Sequence, residues 1–556
     1  MQFVTTDAAS LSRLRWDSNT VDAVAVDGQH RLKALKLWME GNNNELAEVT
    51  RSTRVPVIFL LLHPSVGFVA AAGSSAGIKT IAREVFTDLN KNAKEVDLAT
   101  QIILDDRSLA SCCVRSLITE GTSSDHDTKL PLSLLRWQDA NNRFDQRYFL
   151  NSLVNLHLIV EDVLDLVPPV REAMDKKKVL GFIKAAKQVV GLPAGDSGEQ
   201  KLLSSDGQDL EEFYEQRFLD EDGEPTAPLS GIPPQFLPRA VEGFTARYAH
   251  WMLRIIRDFR PYALLLGYAR QNGLIDGQFS QYFAQPKDHR LQLDNELESQ
   301  HGENWKELII GRHERHIEKN IKRIGASDGL GEEWAFKTIF QKAVLRFAKD
   351  LFVNAPEDQR EKLGSIEDYL SFLNRLFDAK VLRVLSPLPG ESYLLWTFLS
   401  VNYGSNKIKV ASTSERRIHA YLALLYYSLR FAKQEDRKLT ANEVGDENSI
   451  GADELEKHWR TKQAGSQWPN SYDFYEALLK EFAKAADIIA NVADPTKLTD
   501  DKRRSIARSR IVAMLRFGIA VFCERAEASD SDSGAAVADE DGAARSGSED
   551  PSAIKI

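Results

Sequence analysis

The feature that most limits the architecture of this chain is the near-continuous helical spacing of its apolar residues from Pro238 onward. Phe244, Tyr248, Trp251 and Ile255 recur at three- and four-residue steps, as do Phe340, Val344, Phe347 and Leu351. Tyr369-Phe372-Leu376, Tyr421-Leu424-Leu425-Leu429 and Phe474-Leu478-Phe482 carry the same pattern. Such steps return side chains to one face of a 3.6-residue turn, so each window predicts an amphipathic helix with its aromatic residues in the core. A protein- or DNA-facing groove is the alternative use of those aromatics. Val381–Tyr403 is unusually apolar and is expected to be buried, broken in two by Pro387, Pro389 and Gly390.

The 556 residues are enough for more than one domain. Hydrophobic and charged fractions of 43% and 27% are ordinary for a soluble globular protein. No run of eighteen apolar residues predicts a membrane span, and no basic-then-apolar leader opens the chain. Cys112, Cys113 and Cys523 have no metal-binding spacing and read as thiols of a reducing compartment. A cytoplasmic protein without membrane contact is expected. Residues 527–556 hold eight acids against Arg545 and Lys555, a net −6, which leaves −4 of the total −10 for the body. That body is too nearly neutral to coat DNA broadly, and the acidic tail is expected to be disordered.

Near the start, Val21, Ala23 and Ala25 fall on one face of an extended segment, and Val24 and Val26 on the other. The run stops at Asp27-Gly28-Gln29-His30-Arg31, after which Leu32, Leu35, Leu37 and Trp38 take helical spacing. A strand, a tight turn and a helix N-terminus form a geometry suited to an anion, because first-turn N–H groups lack internal partners and the dipole favours negative charge. Gly28 permits the turn and close approach of a ligand. Arg31 offers a forked donor for phosphate, and His30 a donor or proton carrier. Asp27 either caps the helix or holds Mg²⁺. Gln29 and His30 either bind ligand or satisfy loop backbone.

The pentapeptide Asp27–Arg31 resembles the defining motif of the DGQHR proteins, which include the DndB-type proteins of bacterial DNA phosphorothioation systems and look like distant relatives of the ParB/sulfiredoxin superfamily. A second match follows in order: the apolar run Val55–Leu62 as a strand, then Phe86-Thr-Asp88-Leu89-Asn90-Lys91-Asn92-Ala93-Lys94, similar to the family's F-x-D-x-N-x-x-A/Q-K ending of a helix. The resemblance covers roughly residues 20–120. It implies an α+β fold, with an N-terminal ParB/sulfiredoxin-like α/β unit, a large α-helical domain and the acidic tail. ParB-like folds place one or two strands ahead of the motif. Here Met1–Asn19 shows no clear strand, and Ala8–Leu14 reads as a short helix, so either those first strands are missing or the start lies further upstream.

The resemblance further implies a nucleoside triphosphate with Mg²⁺ as cofactors. Asp27 and Asn90 would hold the metal, and Arg31, Lys91, Asn92 and Lys94 would meet phosphate or metal-bound water. Gly28 and Gln29 would shape the pocket, and Asp27, His30 and Arg31 would act in any Mg-dependent hydrolysis. Helix C-terminal roles are the alternative for Asn90, Asn92 and the lysines. The function implied is that of a DNA-modification or phage-defence protein, in contact with duplex DNA and partner proteins. A non-catalytic transcriptional regulator is the alternative. A nuclease like the DGQQR restriction proteins fits less well, since His30 stands where those carry Gln.

The expected order is an α/β unit over 1–130, a helical extension over 131–191, a linker or irregular excursion over 192–237, the helical domain over 238–526 and the tail over 527–556. Ala99–Ile118, Asp145–Leu166, Asp175–Val190 and Leu210–Phe218 are the helices predicted before Pro238. Lys502, Arg503, Arg504, Arg508, Arg510 and Arg516 form the basic side of an amphipathic helix, either a solvated face or a DNA-phosphate contact. His313 and His316 lack the pattern of a zinc site.

Overall fold

The computed structural model describes residues 2–5, 12–15, 98–106, 108–119, 128–137, 149–166, 202–204, 207–218, 232–233, 235–275, 290–320, 334–379, 412–440, 449–462, 468–490 and 494–532, with a few single positions or pairs between them. Within these residues the chain is mostly helical with short two-stranded sheets, an α+β composition with a large helical part. The strand at 21–26, the strand at 55–62 and the helix ending at Lys94 lie outside the described residues, as do most of Asp175–Val190 and Val381–Tyr403.

The first strands correct the sequence reading. β1 (Gln2–Thr5) and β2 (Ser12–Arg15) pair antiparallel, with Phe3 opposite Leu14, where no strand and a short helix were expected. Four residues are too few to show a period. The ladder is set by the partner strand, and the β-branched Val4 and Thr5 suit it.

Two helices stand where Ala99–Ile118 predicts one: α1 (Leu98–Leu104) and α2 (Leu109–Ser116). The polar run from Asp105 to Ser108 makes the break. Ser108 caps α2 by accepting from the Ser111 N–H at 3.2 Å. Arg115 reaches back from α2, and its Nη1 donates to the carbonyls of Ile102 (2.9 Å), Ile103 (3.3 Å) and Asp105 (2.9 Å) at the end of α1. Those carbonyls would otherwise lack partners.

β3 (Ile118–Thr119) then pairs in parallel with β4 (Leu130–Pro131), and β5 (Leu135–Arg136) with β6 (Asn151–Ser152). α3 (Leu153–Val163) starts later than the predicted Asp145 because Ser152 is its cap, accepting from the Asn155 N–H at 3.1 Å. α4 (Leu210–Phe218) occupies its predicted span.

The remaining chain is α5 (Leu237–Phe244), α6 (His250–Asp258), α7 (Arg260–Gln271), α8 (Leu291–His301), α9 (Arg312–Asn320), α10 (Thr338–Lys349), α11 (Glu357–Leu363), α12 (Ile366–Asp378) and α13 (Ser412–Gln434). After the parallel pair β7 (Lys438–Thr440) and β8 (Ser449–Gly451) come α14 (Ala452–Trp459), α15 (Ser471–Lys484), α16 (Ala486–Ile489) and α17 (Asp500–Asp532). π-helical turns join α5 to α6 (Thr245–Ala249), lead into α9 (Glu307–Gly311) and close α10 (Asp350–Asn354). α1 and α2 pack on α3, α2 also on α5, and α3 on α10, so the core runs on across residue 130.

The predicted apolar series end up inside. Phe244, Tyr248, Trp251 and Ile255 are buried, as are Phe340, Val344, Phe347 and Leu351. α13 is the central element, with α10, α11, α15 and α17 around it. Its side chains are buried on every face from Ile418 to Ser428. Three of its hydroxyl groups tie it to different neighbours. Tyr421 donates to the Met514 carbonyl of α17 (3.2 Å), Tyr426 to Leu363 of α11 (2.8 Å) and Tyr427 to Pro469 ahead of α15 (3.2 Å). Burial pushes all three phenols upward, so they remain neutral donors.

α17 continues through Asp532, which corrects the expected start of the disordered tail at 527. Extending an existing helix needs no new nucleus, and Ala526 and Ala528 favour it. Residues 533–556 lie outside the described residues. Among the described residues no helix is long and apolar enough to cross a membrane.

α17 meets α13 at Gly518, where an added Cβ would sit 2.7 Å from Leu425 Cδ1 and 2.8 Å from the Tyr421 hydroxyl. Both neighbours are buried, so they have little room to yield. Gly518→Val should therefore destabilise the protein by about 1–3 kcal/mol, measured by chemical denaturation.

Candidate functional site

Asp27, Gly28, Gln29, His30, Arg31, Asn90, Lys91, Asn92 and Lys94 all lie outside the described residues. Among the described residues, buried and half-buried ionisable groups gather in a seam between α3, α10 and α13. α10 contributes Lys342, Arg346 and Lys349, whose four- and three-residue steps align them on one stripe of the helix. α3 and the residues after it contribute His157, Glu161, Asp162 and Asp165, and α13 contributes Glu415 and His419 one turn apart.

The contacts are specific. Arg346 Nη1 donates to Glu415 Oε1 at 3.2 Å and lies 3.5 Å from Asp162 Oδ1. Lys349 forms an ion pair with Asp165. His419 Nε2 stands 2.9 Å from Asp350 Oδ2, the first residue of the π-turn closing α10, and Asp350 Oδ1 accepts from Asn354 Nδ2 at 2.8 Å. Despite the 2.9 Å approach, His419 Nε2 makes no aligned hydrogen bond. The imidazole packs edge-on against Phe474, ring centres 4.8 Å apart.

Burial governs the titration of this seam. It pushes the Glu415 carboxyl up, Asp162 adds to the rise, and Lys342 and Arg346 oppose it. Burial also raises Glu161, with Lys342 opposing. The His157 imidazole is pushed down to about 4 by burial, with Asp105 opposing, so it is neutral at pH 7. Desolvating these charges costs more than their partners return. The seam can join three helices and hold a proton. Among the described residues no group of three His, Cys, Asp or Glu side chains could hold a metal ion.

Several cations on the basic side of α17 are met by carboxylates of the body. Arg508 donates through Nε and Nη2 to the two oxygens of Glu456 (3.1 and 3.4 Å), a buried residue of α14 that also accepts from the Tyr475 hydroxyl. Arg516 pairs with Asp453, Arg504 approaches Glu476 at 3.5 Å, and Arg503 donates to the Pro495 carbonyl at 2.9 Å. Arg510 is half-buried, and desolvation lowers it to about 10. Arg504, Arg508 and Arg516 link α17 to α14 and α15 while remaining 42–62% exposed, and Lys502 is exposed, so this side is a salt-bridged, partly solvated face.

The remaining sequence candidates are packed into the body. His313 is buried, and the His316 ring lies 5.0 Å from that of Tyr268. Cys112 accepts from Arg115 Nη2 at 3.1 Å, and burial raises both it and Cys113, which makes them poor nucleophiles. Sequence reasoning missed the α3–α10–α13 seam. Its signals were the Lys342-Arg346-Lys349 stripe and the Glu415–His419 spacing, both set among residues that otherwise read as core. Compared with protein-family models, curated proteins and solved structures, the chain matches none.

Two measurements check these assignments. Arg508→Met leaves buried Glu456 without its forked partner and should cost about 1–3 kcal/mol of stability, while leaving affinity for duplex DNA unchanged in a salt-dependent binding assay. His157 is held neutral in the fold but takes a proton near pH 6.5 when unfolded. Stability is therefore lost as pH falls from about 6.5 toward about 4. His157→Gln should flatten that acid-side loss in denaturation curves taken across this range.

Proposed function

We propose that this chain is a DGQHR-type protein that binds a nucleoside triphosphate at the Asp27–Arg31 turn and serves a bacterial DNA-modification or phage-defence system. One observation carries the reading: Asp27-Gly28-Gln29-His30-Arg31 sits at a predicted strand-to-helix junction and is followed, in order, by the Phe86–Lys94 motif. The chemistry of the residues agrees with a phosphate ligand. At the predicted helix start Gly28 and Gln29 would offer backbone N–H groups, and Arg31 and Lys91 would supply positive charge. Asn92 and Lys94 would extend that charge and amide surface. Asp27 and Asn90 are oxygen donors of the kind Mg²⁺ prefers, and the ion would neutralise phosphate charge. Should hydrolysis occur, His30 would orient water while Arg31 stabilises the developing charge.

The near-neutral body and the carboxylate-paired cations of α17 favour a local patch over broad coating as the way to meet DNA. They leave a partner-binding regulator as the second reading. The test is nucleotide binding and hydrolysis with Mg²⁺, with and without duplex DNA, for wild type and Arg31→Ala. Arg31→Ala should keep its thermal unfolding profile and lose about a hundredfold in hydrolysis. A folded wild type that binds no nucleotide would favour the regulator, and a fully active Arg31→Ala would remove the site assignment.

A further inference from the structure

The seam between α3, α10 and α13 is one positive charge short. Among the described residues, the cations set against Glu161 and Glu415 are Lys342 and Arg346, Arg346 also lies 3.5 Å from Asp162, and Lys349 is engaged by Asp165. One nitrogen, Arg346 Nη1, answers both Glu415 Oε1 and Asp162 Oδ1. The other oxygen of Asp162 is buried with no hydrogen-bond partner, and the Glu415 side chain is only 9% exposed. A buried acceptor without a donor is costly, and a protonated carboxyl would provide the missing donor.

We propose that this seam is a proton-linked latch, taking one proton from solvent onto Glu415 on acidification and thereby tightening the contact of α13 with α3 and α10. The charged neighbours of Glu415 are Asp162 from α3 and Lys342 and Arg346 from α10. On its own helix, His419 stands one turn on, beside Asp350. From α15, Glu481 is taken up by Arg417 on the next face of α13. His157, beside Glu161 at 3.7 Å, stays neutral in the fold across the relevant range. Burial and Asp162 both favour the neutral form of Glu415 and outweigh the two cations, which agrees with the geometry. The sign follows directly. A carboxyl that binds its proton more tightly folded than unfolded adds stability at low pH, and that stability is lost as pH rises through the folded value.

The test is thermal unfolding of the full chain from pH about 5 to about 8, comparing wild type with Glu415→Gln and Asp162→Asn. Other groups also titrate, His157 among them, so the readout is the difference in Tm between each variant and wild type. For Glu415→Gln, a fixed neutral side chain, the difference should be smallest at the acid end and grow to about +2 °C at the alkaline end. Asp162→Asn should follow the same trend. A difference that is constant with pH, or that shrinks as pH rises, would overturn the proposal. If Glu415→Gln does not fold, Asp162→Asn decides by the same criterion. Failure of both to fold at the alkaline end would also overturn it, since the seam would then require both negative charges.

Discussion

The enclosure of α13 is the constraint on which the rest of the body depends. A helix buried on every face cannot direct one stripe inward and leave another to water, so each neighbour must present it an apolar surface. α10, α15 and α17 do this with Phe347, with Phe474 and Phe482, and with Met514 and Ile519. The polar atoms that α13 brings inside must then find partners within the protein. Tyr421, Tyr426 and Tyr427 donate to carbonyls on three different neighbours, and Ser428 accepts from Trp459 Nε1 at 3.1 Å. An apolar bundle can slide by a turn at small cost. Directional bonds from one helix to three others fix its axial position as well as its depth.

Charge is handled by the same logic at the margins of that core. Arg508 and Arg516 lie on α17 as a basic side, yet their partners are Glu456 and Asp453 of α14. Arg346 similarly crosses from α10 to carboxylates of α3 and α13. In each case the cation spans two helices, so its length and forked geometry serve to join elements. The contrast between the two sets lies in balance. Glu456 is met by both Arg508 and Tyr475, whereas Asp162 and Glu415 divide one guanidinium nitrogen.

What was legible in the sequence was periodicity with repetition behind it. The Phe244, Phe340, Tyr369, Tyr421 and Phe474 series each span several turns, and their helices lie where spacing put them. Leu210–Phe218 was legible because Asp and Gly precede it and an apolar face runs through it. Illegible features depended on distant partners. β2 over Ser12–Arg15 exists through its pairing with β1, and the break before α2 is completed by Arg115 folding back ten residues. Part of that break was visible, since Asp105–Ser108 is polar enough to stop a helix, but the apolar positions on either side kept one phase. The end of α17 was misplaced because composition predicts solvation, not whether an established helix stops. As for site chemistry, a motif names residue types near one another in the chain. The seam joins residues more than 250 positions apart, which no local window can contain.

The position of α13 in the chain has a consequence for biosynthesis. Its cover comes from both directions: α10 and α11 precede it, whereas α15 and the packed part of α17, as far as Phe522, follow it. A ribosome that has just released Gln434 has made a long helix that α10 and α11 can cover but α15 and α17 cannot, because Met514 and Ile519 are still to be translated. Over that interval the side of α13 that packs on α17, Tyr421 and Leu425 included, has no cover, so this part of the core cannot close until α17 has emerged. Truncation anywhere between Gln434 and Phe522 would leave this surface permanently open, making such fragments substrates for chaperones and proteases rather than smaller working domains.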